Sequence, residues 1–396
     1  MRKELLIKGR SLTGTSDLTL LATIKAIDED GLIPADYQPK ALAEAILTGE
    51  GQGLDAQASK SFAWLAEDMR DGRTRFARRM AWFVVDPDIE QNPTSKLMER
   101  ALATHDVAGT IQSVAPLHPD YLAMKSALAT TPKSDKPARD LIRVNMDRWR
   151  WLGRDLGKYY LMTNVPEFQM RLTVDNSIIR SYRTIVGKPG KTATPSLAEV
   201  VEGVIFNPTW TVPQSIVKGE GLGARLAGNP AAALRQGYKV TTAANGTITV
   251  VQQPGPSNSL GLLKLDMPNE HAIFIHDTPS RGLFGQAYRA LSHGCVRTER
   301  AQELGMTMAI LGAGMTPEQG VANATSGKYT RVPMTRTFPI YITYFTYATD
   351  IGGKMRAFAD LYGRDAPVLA SFAAPRAPWT GQRKTTEAVV KLDNPL

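Results

Sequence analysis

The sequence predicts an α+β protein, with a helical N-terminal part and a mostly β part after it. Over residues 1–130, leucine and isoleucine recur at helical spacing and strand-like runs are lacking. After residue 140, short runs of β-branched and aromatic residues alternate with turn residues. The chain has 396 residues. A single core stops growing at roughly 250–300 residues, so we expect more than one compact unit.

The helical part is predicted to end at a short linker. The segment SDLTLLATIKAIDEDGL begins at Ser16, which is a favourable residue for a helix N-cap. Two further segments, PKALAEAILTGE and KSFAWLAEDMRDGRTRFARRMAWFV, continue the helical pattern. The polar stretch TTPKSDKPARD, from Thr130 to Asp140, has a linker composition. We therefore expect a first domain at residues 1–140.

The β part is predicted from a series of strands. The runs YYLMTNV, FQMRLTVD and SIIRSYRTIVG are separated by turn residues, and GYKVTTAANGTITV contains a hairpin signal at ANGT. The runs LGLLKLDM and HAIFIHD add strands, and residues 298–313 have a helical pattern. The run VPMTRTFPIYITYFTYATD is predicted to form a closing strand pair.

These patterns predict a second domain at residues 141–365. Within it, residues 214–257 are rich in glycine, alanine and asparagine and are expected to form an insertion. Residues 366–396 are rich in proline and alanine and are predicted to be a tail on the surface.

Composition limits the classes of partner. Lysine and arginine number 47 against 38 aspartate and glutamate, a formal charge of +9. Such a surface favours peripheral association with an anionic cell wall or membrane. The densest basic cluster, Arg70 to Arg79, is typical of a solvated helix face and no nucleic-acid motif accompanies it, so no nucleic-acid partner is predicted.

No membrane anchor or export signal is predicted within this sequence. No run approaches the ~20 apolar residues of a membrane helix. The first 17 residues have basic side chains but lack the apolar core of a signal peptide. If the protein is exported, we expect its leader to have been removed. The chain has one cysteine and five dispersed histidines, so neither a disulfide nor a metal or cofactor site is expected.

The lone cysteine lies in IFIHDTPSRGLFGQAYRALSHGCVR, between Ile273 and Arg297. A thiol attacks carbonyl groups as the thiolate, so Cys295 needs a base or a cation nearby. His276 follows three apolar β-formers and precedes a turn, and the loop after it is long enough to bring the two side chains together. His293 is a second candidate base, although residues two positions apart in a turn usually diverge.

The order of these motifs resembles the L,D-transpeptidase (YkuD) catalytic domain, with its histidine, loop and SHGCVR sequence. Further segments resemble the large YcbB-like branch: NMDRWRWLGRDLGKYYLMTNVPEF, VIFNPTWTVP, NSLGLLKLDMPN and HDTP. The stretch AIDEDGLIPADY resembles that branch's helical scaffold. The resemblance implies a YkuD-type β-sandwich with a capping subdomain. This branch often carries a peptidoglycan-binding domain inserted in its scaffold, and here we expect only the short TTPKSDKPARD linker in that place.

The resemblance implies a role for each residue of the motif. Cys295 would be the nucleophile and His276 the base, with the amides around Gly294 and Cys295 as the oxyanion hole. Arg297 would order the loop or the substrate, and His293 would buttress the loop or act chemically. The predicted substrate-binding positions are Trp210, Phe274, Asp277 and Ser292. Phe274 departs from the family, which commonly has tyrosine there.

The implied function is that of a periplasmic transferase that crosslinks peptidoglycan stem peptides without a cofactor. Cys295 would attack the L-centre carbonyl of diaminopimelate in a donor tetrapeptide and release D-alanine. An acceptor amine would then resolve the thioester, and carbapenems would acylate the same thiol. Three alternatives stay open: an L,D-carboxypeptidase or amidase that uses water, an NlpC/P60-type endopeptidase, and a non-catalytic wall-binding module. The NlpC/P60 order of cysteine before histidine is the reverse of the order here.

Overall fold

The computed structural model describes residues 14–219, 221–378 and 385–392. It divides the chain into two compact units. Unit 1 comprises residues 1–156 and 344–389, and unit 2 comprises residues 157–343 and 390–396. Unit 1 is mainly helical and unit 2 is mainly β, so the predicted α+β class is confirmed. The predicted domain boundaries at 140 and 365 stay a prediction. The N-terminal stretch used to predict the lack of a signal peptide lies largely outside the described residues.

Unit 1 begins with eight helices around an apolar core. They are α1 (Gly14–Ala26), α2 (Pro39–Thr48), α3 (Gln52–Asp71), α4 (Asp88–Gln91), α5 (Thr94–Thr104), α6 (Val107–Gln112), α7 (Pro119–Thr130) and α8 (Lys136–Trp149). The core is built from the apolar positions that recur at helical spacing, among them Leu20, Phe62, Leu65 and Ile111. Among the described residues, no helix is both long enough and apolar enough to cross a membrane.

Two local predictions in unit 1 are wrong. Helix α1 begins at Gly14, so Ser16 lies inside the first turn and is not the N-cap. The predicted linker is shorter than residues 130–140, because the Asp135 side chain accepts from the Ala138 N–H and caps α8. Pro137 then sits in the first turn, where its missing N–H costs nothing.

Unit 2 is dominated by an 11-stranded sheet. Its strands are β1 (Tyr159–Asn164), β2 (Gln169–Val174), β3 (Ser177–Gly187), β4 (Leu197–Val200), β5 (Gly203–Phe206), β9 (Leu263–Asp266), β10 (Ile275–His276), β11 (Ala290–Ser292), β12 (Val296–Thr298), β13 (Thr330–Pro333) and β14 (Pro339–Thr343). The order is β13-β5-β9-β10-β12-β3-β2-β1-β14-β4, and β11 pairs with β3 outside this path. The strand β10 therefore lies inside the sheet, between β9 and β12.

A helix covers the apolar face of these central strands. Helices α12 (Ala301–Ala313) and α13 (Pro317–Thr325) follow β12, and α12 packs against β5 and β9. At Gly305 the helix lies so close to the sheet that a Cβ would meet Leu263 at 2.1 Å. Leu263, Leu265 and Val296 are fully buried on this face. The opposite face of the same strands is left for polar side chains.

Residues 210–252, which include most of the predicted insertion at 214–257, form a small structure with its own core. It contains α9 (Gln214–Gly219), α10 (Leu222–Ala227), α11 (Pro230–Arg235) and a sheet of β6 (Trp210–Thr211), β7 (Tyr238–Thr242) and β8 (Ile248–Gln252). Val212, Val217 and Val250 are buried at its centre. The predicted hairpin at ANGT is confirmed, because β7 and β8 pair antiparallel and Gly246 turns the chain at φ +79°.

The chain then returns to unit 1. Strands β15 (Tyr347–Thr349) and β16 (Met355–Ala357) pair with each other, and helix α14 (Asp365–Ala373) follows. The predicted pairing of the last two strands is therefore wrong, because β14 pairs with β1 and β4 while β15 pairs with β16. Helix α14 occupies the start of the predicted tail, part of which lies outside the described residues.

The segment after α14 is tied to α3 by a buried ion pair. The Arg376 guanidinium donates to the Asp68 carboxylate at 2.8 and 2.9 Å and to Glu67 at 2.7 Å. The Arg376 side chain is 1% exposed and that of Asp68 is fully buried. Asp68 also accepts from Arg75 at 3.0 Å and from the Tyr37 hydroxyl at 3.2 Å. Arg376 is thus part of the buried interior of unit 1.

We predict that Arg376→Met destabilises unit 1 by about 3 kcal/mol, because it leaves the Asp68 carboxylate buried with only Arg75 as a cationic partner. The free energy of unfolding in urea, followed by circular dichroism, measures the loss. The control is Lys133→Met, since Lys133 is 87% exposed and lies 3.8 Å from Asp28. It should change stability by less than about 0.5 kcal/mol. Equal effects of the two variants would contradict the prediction.

Candidate active site

The site is organised by one row of side chains across three adjacent strands. His276 on β10 pairs with Lys264 on β9, and on its other side with Arg297 on β12. Directly paired residues project from the same face of a sheet, so these three side chains share one face. The neighbouring pair, Ile275 and Val296, projects to the opposite face and is buried.

A second row places the cysteine on the same face. Phe274 and Cys295 each lie two residues before His276 and Arg297, and alternation along a strand brings them to the same side. The Val296 N–H donates to the Phe274 carbonyl at 2.9 Å, which continues the pairing of the two segments. The structure therefore brings His276 and Cys295 to neighbouring segments on one face, although 18 residues separate them in sequence.

The turn that presents the cysteine is held by hydroxyl groups. Ser292 Oγ donates to the Cys295 carbonyl at 2.6 Å and accepts from the Gly294 N–H at 3.1 Å. Thr194 Oγ1 donates to the Gly294 carbonyl at 2.7 Å. Gly294 has φ +120°, a conformation open to glycine and strained for other residues. The backbone before the thiol is thus fixed by three hydrogen bonds.

The His276 ring is oriented by a backbone carbonyl. Its Nδ1 lies 2.5 Å from the Asp277 carbonyl oxygen. A carbonyl oxygen only accepts, so Nδ1 carries the proton and Nε2 of the neutral ring has the free lone pair. The Asp277 carboxylate has other partners: it accepts from the Leu262 N–H at 3.0 Å and from Arg281 at 3.1 Å. The group that orients the ring is therefore the Asp277 carbonyl and not the Asp277 carboxylate.

A polar face with a histidine and a cysteine at the end of a glycine turn matches a known family. Residues 158–307 match the YkuD family, the L,D-transpeptidase catalytic domain. The chain carries a YkuD catalytic domain. Residues 15–128 match the scaffold domain, so the resemblance drawn from SHGCVR and the helical stretch is confirmed.

The similar proteins are distant. A curated Haemophilus influenzae protein, provisionally named an L,D-transpeptidase, is 27% identical over 223 residues, which are 52% of this chain. The match spans 45% of that relative's own length. An NMR structure of the Enterococcus faecium L,D-transpeptidase catalytic domain acylated by ertapenem is 16% identical, covering 48% of this chain and 99% of that one, with a TM-score of 0.26.

A second structure, an L,D-transpeptidase from Mycobacterium smegmatis, is 14% identical. It covers 48% of this chain and 60% of that one, with a TM-score of 0.23. Similarity at these TM-scores does not define the positions of individual side chains. In this chain, strand pairing defines the positions of the site residues.

Burial and two cations set the charge state of the YkuD site. Burial, together with the positive charge of Arg297, lowers the pKa of His276 to about 4. Burial raises the pKa of the Cys295 thiol, against a hydrogen bond from the Phe274 backbone and the charges of Lys264 and Arg297, which lower it. At neutral pH the YkuD domain thus holds a neutral imidazole and a thiol, and the ion pair of imidazolium and thiolate is not preformed.

The other predicted site residues are placed differently. His293 is exposed on the turn, whereas Arg297 and Phe274 are half-buried on the face of the thiol. Ser292 and Asp277 are 1% and 3% exposed and are used in hydrogen bonds within the domain. We therefore propose positioning roles for these two in place of the predicted substrate contacts. Trp210 packs on the core of the small three-stranded sheet and is not part of the two rows.

Sequence reasoning missed two residues of the YkuD site. Thr194 holds the turn but lies 100 residues before Gly294, and nothing local marks it. Lys264 had a signal: in LLKLDM the charged residues Lys264 and Asp266 alternate with apolar ones, which predicts one polar face on that strand. The described residues contain no group of three or more metal-ligating side chains.

We predict that Cys295 reacts with iodoacetamide with an apparent pKa above that of free cysteine, because burial outweighs the two cations. Because the raised pKa leaves little thiolate at pH 7, the alkylation rate should be low there and should still be rising at pH 9. Intact-mass kinetics measure this directly, since the chain has one cysteine. Arg297→Met should move the midpoint of the profile further up in pH. A midpoint below pH 8 in the native protein would contradict the charge state described.

Proposed function

We propose that this protein is a peptidoglycan L,D-transpeptidase whose nucleophile is Cys295. The observation that carries the proposal is the placement of Cys295 and His276 on neighbouring segments of one face, in a region that matches the YkuD domain. The hydrogen bond of Nδ1 to the Asp277 carbonyl assigns the lone pair of the neutral ring to Nε2, and a thiol and a neutral imidazole on one face support acyl transfer through a thioester. The chain's match to its curated relative covers only part of that protein, so activity, substrate and partners are all part of the proposal.

In the first step Cys295 Sγ attacks the L-centre carbonyl of diaminopimelate in a donor tetrapeptide. His276 Nε2 takes the thiol proton, and the carbonyl oxygen gains the negative charge. The tetrahedral intermediate collapses as Nε2 returns the proton to the departing nitrogen, so that D-alanine leaves and a thioester remains. The Asp277 carbonyl, fixed on Nδ1, stabilises the imidazolium that exists between these two transfers.

The oxyanion requires a donor at the cysteine turn. In the structure the Gly294 N–H donates to Ser292 Oγ, so we assign the oxyanion to the Cys295 amide. Gly294 then acts by shaping the turn, with its φ of +120°. Phe274 brings no hydroxyl to this place, so the side chain at this position does not take part in the oxyanion hole.

In the second step an acceptor amine resolves the thioester. His276 removes a proton from the amine, the amine nitrogen bonds to the acyl carbon, and the thiol is restored as the carbon–sulfur bond breaks. If water takes the place of the amine, the same residues perform an L,D-carboxypeptidase or amidase reaction. We propose that the small structure at residues 210–252 acts as the cap that favours the amine by excluding water.

The same proposal extends to location and inhibition. The net charge of +9 suits an enzyme that works on the anionic wall, and the periplasm is the compartment that fits this substrate. Carbapenems are expected to acylate Cys295 by the same attack on a strained carbonyl. The Enterococcus faecium relative has been solved in its ertapenem-acylated form.

We predict that Cys295→Ala abolishes crosslinked product from purified tetrapeptide muropeptides and also abolishes the covalent ertapenem adduct. Fragmentation mass spectrometry of the products shows whether an amine or water resolved the thioester. Circular dichroism checks that the variant is folded. Dimer formation at the native rate by Cys295→Ala would rule the proposal out. If the native protein forms tripeptide without dimer, water resolves the thioester and the hydrolase is favoured.

A matched pair of histidine variants tests the base. His276→Gln should lower kcat by about 10²-fold or more, because a general base contributes that much to proton transfer. His293→Gln should stay within about threefold, since its side chain is exposed on the turn. Measured on the same donor, the reverse ranking of the two variants would assign the base to His293.

A further inference from the structure

Lys264 carries a charge on the face of the thiol and forms no ion pair with a carboxylate of the described residues. Its Nζ lies 3.6 Å from the centroid of the Phe274 ring, and the side chain is half-buried. Within residues 14–219, 221–378 and 385–392, neither Lys264 nor Arg297 forms an ion pair with a carboxylate. The row that contains His276 therefore has, on each side of the ring, a cation that is not ion-paired.

The nearest acid along the strand is engaged elsewhere. Asp266 lies two residues from Lys264, so both project from the same face of β9. The Asp266 carboxylate accepts from Arg331 Nε at 2.7 Å. Arg331 thus holds the one carboxylate on this strand that would otherwise pair with the lysine. Lys264 is therefore without an ion-pair partner on this strand.

The lysine is directed along the face toward the thiol. Phe274 belongs to the same row as Cys295, and the Lys264 ammonium lies over the face of its ring, where the π electrons attract a cation. Burial lowers the pKa of Lys264, and the negative charges of Asp266 and a Cys295 thiolate oppose that shift. The ring does not neutralise the charge, so a half-buried ammonium without an ion pair gains free energy when an anion binds beside it.

We propose that Lys264 is a specificity determinant that binds the carboxylate of the amino acid released from the donor. This inference rests on the proposed function. When the scissile carbonyl carbon is at Sγ, the carboxylate of the leaving residue lies about one residue spacing away, ~3.8 Å. Because covalent geometry sets this spacing, the carboxylate of the leaving residue lies at a fixed distance from the thiol. Lys264 selects donors that end in a free carboxylate. Arg297 lies on the opposite side of His276.

The first test uses two alkylating reagents that differ only in charge. Iodoacetate carries a carboxylate on the carbon that the thiol attacks, and iodoacetamide carries a neutral amide. Both label only Cys295 in this chain, so intact-mass kinetics give the rate for each reagent. We expect the iodoacetate-to-iodoacetamide rate ratio to exceed that of free cysteine. The ratio should fall on the order of tenfold in Lys264→Met and be largely kept in Lys264→Arg.

The control is Lys328→Met, which removes the same charge from an exposed position of unit 2. Its rate ratio should equal that of the native protein, which excludes an effect of net charge alone. Raising the salt concentration should reduce the native preference for iodoacetate, because the interaction is between charges. An unchanged ratio in Lys264→Met would overturn the inference. This assay needs no transpeptidase activity.

The second test uses donor tetrapeptides that end in D-alanine or in D-alaninamide. We expect the native protein to favour the free acid by about tenfold in kcat/KM, mainly through KM, and Lys264→Met to lose that preference. If product forms but the acid-to-amide ratio is the same in both proteins, the role of Lys264 is overturned. If neither donor gives product with the native protein, the proposed function fails, while the alkylation ratio still decides whether Lys264 binds a carboxylate.

Discussion

The register of three strands is the constraint on which the site depends. His276 is paired on one side with Lys264 and on the other with Arg297, and a slip of one residue in either pairing would move a side chain to the apolar face. The buried residues on that face, such as Leu265 and Val296 under α12, oppose such a slip. The hydrophobic packing of the sheet therefore fixes the chemistry on its other side.

The same row sets an electrostatic constraint on the proposed reaction. Two cations favour a thiolate, yet they also disfavour the imidazolium that the proposed proton transfer to His276 would form. The ring between them stays neutral, with a pKa of about 4. An anion between the cations would favour the imidazolium, and would also reduce the stabilisation that the cations give a thiolate. In the proposed reaction, the carboxylate of the donor would therefore ease proton transfer to His276.

The parts of the structure that the sequence predicted are those with local signals. Helical spacing and strand alternation separate the two classes of structure, and SHGCVR marks the turn that holds the lone cysteine. The missed features depend on residues distant in sequence. The Thr194 bond to the cysteine turn and the Lys264 ammonium over Phe274 form only when separate segments of the chain meet in the fold. The predicted closing strand pair is wrong for the same reason, because β14 pairs with β4 and β15 pairs with β16.

The position of Arg376 in the sequence affects the order in which the two units can complete folding during synthesis. Asp68 is synthesised early and becomes fully buried, but its main cationic partner arrives 308 residues later. The helices of unit 1 cannot complete their core while the ribosome is still translating the β unit. The β unit, in contrast, has nearly all its residues in one continuous stretch. The domain that begins the chain is therefore expected to be the last to finish folding.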